Sequence, residues 1–263
     1  MKVVLFCGGQ GLRLREYSES IPKPMVPIGY RPILWHVMRY YAEYGHAEFI
    51  LCLGYRADAI KEYFLQYRDA ISSDFVLHGA GGEVEILGKD ATDWKISFVD
   101  TGLHASVGER LAAVREHLGD DETFLANYGD VLTDAPLDEL IDGFAATDCT
   151  ASFLAVRPRA YTFHLIDIAE GRVTGVRDVS TADIWINGGY FIMRREIFDA
   201  LRPGEDLVPE TFGRLLEAGK LMANRYEGFW APMDTIKDRQ NLEALIESGT
   251  APWAVWHQRK TPR

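Results

Sequence analysis

The segment that most restricts how this chain can fold is its first. Val3-Val4-Leu5-Phe6-Cys7 is a continuous apolar run halted by Gly8 and Gly9. A run without polar alternation fits a strand buried on both faces, and such strands belong to sheets covered by helices on either side. Phe49-Ile50-Leu51-Cys52-Leu53, stopped by Gly54, repeats the pattern, and Ile96 to Val99 and Thr123 to Asn127 are further strand candidates. Helical patterns lie between them. One opens at Pro32, with Ile33, Leu34, Val37, Met38 and Tyr41 at helical spacing. A second starts at about Asp58 as N-cap, and a third runs from Glu109 to Leu118. Strands alternating with helices predict an α/β, Rossmann-like three-layer fold with a mostly parallel sheet, whose ligands bind at the carboxyl ends of the strands. The glycine loop after Cys7, Tyr55 and Asp130 all fall at such ends.

The second half carries strand candidates with little helix between them: Thr150 to Val156, Phe163 to Ile168, Val173 to Val176 and Ile186 to Met193. This predicts a mixed sheet forming the opposite wall of a site. Helices are expected again at about Arg195–Leu201, Pro209–Ala218 and Ile236–Ile246, with Phe229 to Asp234 as a loop.

Charge and cysteine usage exclude several classes. The net charge is −11 with no long basic run, which repels nucleic acid and anionic lipid, so neither is an expected partner. Cys7, Cys52 and Cys149 are odd in number and show no CxxC spacing, so they read as buried thiols in a reducing compartment. The apolar run after Met1-Lys2 is too short for an export leader, and no stretch reaches the ~20 apolar residues of a membrane span. The expectation is a cytoplasmic protein without a membrane partner.

A glycine-rich turn after a buried strand lets backbone N–H groups point at a phosphate. It does not match the dinucleotide fingerprint, because the third glycine position is Leu14, and it lacks the lysine of a Walker loop. It has instead Arg13 within the loop and Lys23 held between Pro22 and Pro24. Proline on both sides restricts the backbone there. Two cations beside a phosphate loop suit attack on the α-phosphorus of a nucleoside triphosphate by a phosphate oxygen of an acceptor. That reaction needs positioning and charge neutralisation more than a general base.

Gly8-Gly9-x-Gly11-x-Arg13-Leu14 followed by Pro22-Lys23-Pro24-Met25 resembles the sugar-1-phosphate nucleotidyltransferases. An ordered set of segments narrows the resemblance to the glucose-1-phosphate cytidylyltransferases. Among them are Pro32-Ile33-Leu34-Trp35-His36, Val99-Asp100-Thr101-Gly102, Tyr128-Gly129-Asp130, Ile186-Asn187-Gly188-Gly189 and Phe229-Trp230-x-Pro232-Met233-Asp234-Thr235. The resemblance implies a Mg²⁺-dependent homo-oligomer joining CTP to a phosphorylated small-molecule acceptor, with UTP or dTTP as alternatives. It implies one domain over residues 1–263: a nucleotide-binding half to 135, an acceptor-binding half over 136–256, and a frayed tail over 257–263. Leu5, Phe6, Cys7, Gly8, Gly9, Gln10, Gly11 and Leu12 would hold the nucleotide together with Arg13, Lys23, Arg110 and Gly129. Arg13, Lys23 and Asp130 would be catalytic, and Asp130 and Asp234 would bind the metal. Either aspartate taken alone reads rather as a cap or turn residue. Tyr128, Arg177, Asp178, Asn187, Gly188 and Trp230 would meet the acceptor, with a strand bulge as the other reading of Asn187-Gly188.

The chain departs from the family at three places. Leu12 replaces the family's threonine, Glu109 interrupts its Thr-Gly-Gly-Arg, and Val179 stands where a lysine grips the acceptor phosphate. Losing that cation removes a charge-assisted bond of about 1.5–3 kcal/mol. Three expectations follow: Arg177 supplies the charge, the acceptor differs from glucose 1-phosphate, or the chain is a non-catalytic nucleotide sensor.

Overall fold

Eight strands build the central sheet of the computed structural model, which describes residues 1–9, 21–67, 75–79, 81–87, 93–158, 164–179 and 182–258. They are β1 (Val3–Phe6), β2 (Glu48–Leu53), β3 (Lys95–Asp100), β4 (Thr123–Tyr128), β5 (Ala151–Val156), β6 (Ile186–Asn187), β7 (Phe191–Arg194) and β8 (Leu221–Tyr226). β1 lies between β2 and β4 and is parallel to both, and β3 extends the parallel half beyond β2. The direction reverses at β7, which is antiparallel to β4 and to β5. β5 also pairs antiparallel with β6 and, on its other side, parallel with β8. The expected parallel half and mixed half are both present.

Alternation along β1 shows why the run must be wholly apolar. Val3, Leu5 and Cys7 join a core with Leu34, Val37 and Met38 of helix Ile33–Glu43. Val4 and Phe6 join a second core with Leu111 of helix Val107–Ala113 and with Phe212 and Leu215 of helix Phe212–Glu217. Val3, Val4 and Leu5 are completely buried. Helices therefore cover both faces, giving the three layers.

Several element boundaries differ from the sequence-based expectation. The helix expected from Asp58 begins at Ala57, and its N-cap position is Arg56 in a left-handed conformation (φ 49°); Asp58 pairs with that arginine at 3.3 Å. Helix Val107–Ala113 starts earlier than expected because Ser106 and Glu109 form a capping box, and it tightens to a 3-10 turn over Arg115–Leu118. The run Ile186–Met193 is two strands, since Gly188, Gly189 and Tyr190 interrupt it and the last two have positive φ (75° and 52°). Residues 229–234 contain a strand, Trp230–Pro232, where a loop was expected, and β8 was not foreseen. Of the tail expected to fray, residues 257 and 258 belong to a helical turn, Val255–Gln258, and residues 259–263 lie outside the described residues.

Candidate active site

The carboxyl ends of β1, β2 and β3 are tied together by one side chain. Arg110 is only 4% exposed. Its guanidinium donates to the carbonyls of Gly8 (3.1 Å), Leu53 (3.2 Å) and Gly102 (2.9 Å), to that of Leu103 (3.4 Å), and to Thr101 Oγ1 (2.7 Å). Burial lowers its pKa, with Asp100 and Glu109 among the groups that oppose the shift. The packing explains the glycine. A Cβ on Gly8 would lie 2.0 Å from Arg110 Nη1. Arg110 was expected to contact the nucleotide. It does line the cavity described below, but its N–H groups are engaged with the backbone beneath the glycine loop.

Two aspartates far apart in sequence meet through a short antiparallel ribbon. Val131–Thr133 pairs with Trp230–Pro232, Pro232 lying opposite Val131. The ribbon end brings Asp130 beside Met233, whose N–H donates to the Asp130 carbonyl at 3.0 Å. Asp234 follows immediately, and its own N–H donates to Asp238 Oδ2, part of the capping box that starts helix Ile236–Glu247. Lys23 reaches both carboxylates, at 2.5 Å from Asp130 Oδ2 and 2.6 Å from Asp234 Oδ1. Burial works against its charge, but Asp130 and then Asp234 outweigh it and raise the Lys23 pKa. The proline-flanked turn aims this lysine. Lys23–Met25 is a 3-10 turn, and Pro24 packs so closely on Gly129 that a Cβ there would lie 3.4 Å from Pro24 Cγ and 2.9 Å from Cys7 Sγ.

Phe6, Cys7, Gly8, Gly9, Lys23, Arg110, Tyr128, Asp130 and Asp234 line one open cavity of about 510 Å³. Asp206 also lines it and was missed. Asp206 accepts from the backbone N–H groups of Gly108 (3.2 Å) and Leu207 (2.7 Å). Burial and the Asp206 carboxylate push the Tyr128 hydroxyl up to about 12, and a hydrogen bond with Asn187 opposes them. Burial also pushes the Cys7 thiol well above its ordinary value, which removes it as a nucleophile.

Two residues expected to bind nucleotide are not among those lining this cavity. Leu5 is wholly buried in the ladder between β2 and β4, one residue too deep. Gly129 donates its N–H to the Phe6 carbonyl at 3.2 Å and packs against Cys7 and Pro24. Gln10, Gly11, Leu12 and Arg13 lie outside the described residues.

The acceptor set divides. Trp230 Nε1 donates to the Gly188 carbonyl at 2.8 Å, and the Gly188 N–H donates to Leu154 at 2.8 Å, so these two brace the wall. Asn187 Oδ1 accepts from the Gly189 N–H at 2.9 Å, and the side chain lines a second cavity. The segment is a strand interruption, as the second reading of it expected, with Asn187 at its edge. Arg177 and Asp178 lie on a separate two-stranded ribbon, His164–Ala169 with Arg172–Asp178. Arg177 is exposed, pairs with Asp167 at 2.9 Å and lines neither cavity. Val179, where the family's lysine would stand, is 8% exposed.

Comparison with known proteins agrees with this geometry. The chain matches the sequence profile of the Nucleotidyl transferase family over residues 2–238. It is 39% identical over 258 residues to the glucose-1-phosphate cytidylyltransferase of Salmonella typhimurium, covering 97% of this chain and 100% of that protein. Similarity to a mannose-1-phosphate guanyltransferase of Kluyveromyces lactis is 28% over 251 residues, covering 90% of this chain and 62% of that one. The crystal structure of HddC from Yersinia pseudotuberculosis superposes with a TM-score of 0.66 at 19% identity, covering 93% of this chain and 99% of the other. That last likeness is one of fold.

Proposed function

The chain belongs to the nucleotidyl transferase family, and from that membership we propose that it joins CTP to a sugar 1-phosphate, or a related phosphorylated acceptor, and releases pyrophosphate. The observation that carries the reading is Lys23 held between Asp130 and Asp234 at the wall of a cavity that also contains Gly8 and Gly9. The whole-length relative of Salmonella typhimurium, named for this reaction, supports CTP as the nucleotide.

An ammonium held at 2.5 and 2.6 Å by two carboxylates marks a point where a cation is stable. The same carboxylates, completed by phosphate oxygens and water, fit Mg²⁺, and Asp130 and Asp234 would hold it. Bound there it would neutralise phosphate charge. The rest falls to the chain. Backbone N–H groups at Gly8 and Gly9 face the triphosphate. Lys23, rigidly placed, offsets the charge that grows as the α-phosphorus is attacked. The acceptor's phosphate oxygen bonds to that phosphorus while its bond to the β-phosphate bridging oxygen breaks, and the electron pair leaves with pyrophosphate. A phosphate monoester dianion has no proton to surrender, so no general base is required. Tyr128, which lines the cavity and is hydrogen-bonded to Asn187, would meet the acceptor.

A matrix of CTP, UTP and dTTP against glucose 1-phosphate and other sugar phosphates, read by pyrophosphate release, tests this. CTP should give the fastest release; no release with any pair overturns the reading.

The proposal extends to a homo-oligomer in the cytoplasm. Ile166 opposes Val176 and Ile168 opposes Val173 on the two-stranded ribbon, all exposed, an apolar face suited to a second copy. A monomer in sedimentation at micromolar concentration would count against it. No helix among the described residues is long and apolar enough to cross a membrane.

A further inference from the structure

The wall beyond Tyr128 carries an arginine cluster that the reaction above does not use. Ala155 of β5 pairs with Asn187 of β6 on one side and with Arg225 of β8 on the other. Arg225 and Asn187 are thus two strand spacings apart, roughly 10 Å, with only a methyl group between them. Both line a cavity of about 450 Å³, together with Trp185.

Trp185 fixes the arginine. Its indole N–H donates to Asp183 Oδ1 at 2.9 Å. The Arg157 and Arg225 guanidiniums lie 4.9 and 5.1 Å from its ring centroid. The two arginines are not equivalent. Arg157 is paired with Asp183 at 3.3 Å and Glu227 at 3.4 Å. Arg225 has no carboxylate partner among the described residues and is exposed to the cavity. Stacking on an aromatic face positions a guanidinium without using its N–H donors, which stay available for a bidentate oxyanion. Among the described residues the other cations considered for the site are engaged: Lys23 by two carboxylates, Arg110 by backbone carbonyls and Arg177 by Asp167.

We propose that Arg225, stacked on Trp185 across from Asn187, binds a phosphate group of the acceptor. This rests on the reading of the chain as a nucleotidyltransferase with a phosphorylated acceptor. The phosphate is either the reacting one or a second one at the far end of a bisphosphorylated acceptor.

The test compares wild type with Arg225→Gln and Arg225→Lys, using CTP with glucose 1-phosphate or glucose 1,6-bisphosphate and reading pyrophosphate release. Arg225→Gln should raise the acceptor KM about tenfold or more, leave the KM for CTP unchanged, and be partly rescued by Arg225→Lys. A rise for both acceptors assigns the reacting phosphate; a rise for the bisphosphate alone assigns the second. An unchanged KM for both overturns the proposal and leaves the nucleotidyltransferase reading standing. If wild type releases no pyrophosphate, that reading fails separately, and calorimetric titration of the same two sugar phosphates decides. Weaker binding to Arg225→Gln supports the site. Equal binding to the two proteins, or none to wild type, overturns it.

Discussion

Lys23 is restrained from both directions: prolines fix its backbone and two carboxylates fix its ammonium. Lys23→Ala should lower kcat by about two to three orders of magnitude, as does loss of a preorganised charge-stabilising donor, with the circular dichroism spectrum unchanged. Wild-type turnover in that variant would take Lys23 out of the mechanism. Gly8 is constrained differently. An added methyl meets Arg110, which cannot retreat without releasing the carbonyls it holds. Gly8→Ala should destabilise by about 1–3 kcal/mol. Combining it with Arg110→Ala should cost less than the sum of the two, by about 0.5–3 kcal/mol, in a urea-denaturation double-mutant cycle. Strict additivity would show that the clash is not felt. Lys23 stood out in the sequence because a lysine between two prolines beside a glycine loop is unusual, whereas Asp130 and Asp234 stood out only through the family resemblance. Asp206 and Arg225 did not stand out, because nothing local distinguishes an aspartate before a helical turn or an arginine on a strand from their solvated counterparts.

Among the elements, the interruption between β6 and β7 shapes the site most. Where the ladder is lost, the wholly buried Asn127 replaces it, its Oδ1 accepting from the N–H groups of Tyr128 (2.8 Å) and Tyr190 (3.1 Å). Asn127→Leu takes the acceptor from both donors and should destabilise by about 2–6 kcal/mol, since each orphaned group costs about 1–3 kcal/mol. An unchanged urea midpoint would show that other acceptors replace the amide. The buried strands and their order of alternation with helices could be read from the sequence, because a continuous apolar run stopped by glycine has few other uses. This break could be read only as the bulge that Asn187-Gly188 offered as one of two readings, because the residue that satisfies it, Asn127, lies far upstream in the chain. The Trp230–Pro232 strand was hidden for a related reason. A proline and a glycine in and beside it read as loop, yet its partner Val131–Thr133 lies almost a hundred residues upstream.

Across the whole molecule, the chain's first third and its carboxyl-terminal segment meet at His36. Its Nε2 donates to the Ile28 carbonyl at 3.2 Å while Nδ1 accepts from Trp253 Nε1 at 3.2 Å, a pattern that suits the neutral ring. Burial, with a smaller contribution from Arg31, lowers its pKa to about 4 against the opposing bond to Ile28. Between about 4 and the ordinary 6.5 the unfolded chain binds a proton that the folded chain excludes. Stability therefore rises with pH through that window: it is complete above 6.5 and lost as pH falls toward 4, by about 3 kcal/mol. Urea midpoints at neutral pH and near pH 4.5 should differ less in His36→Gln than in wild type; equal differences would assign the acid sensitivity to other groups. Arg110 has a consequence at the same scale. The molecule carries a net charge of −11, yet a guanidinium with no carboxylate hydrogen-bond partner among the described residues lies under the glycine loop. An approaching triphosphate would meet repulsion at long range and attraction only on arrival. Dissolved salt shortens the reach of the first, through a Debye length of about 10 Å at 0.1 M, and barely touches the second. Affinity for CTP should therefore hold steady or rise as ionic strength increases, the reverse of what a surface patch of lysines would give, and a calorimetric salt series would show which.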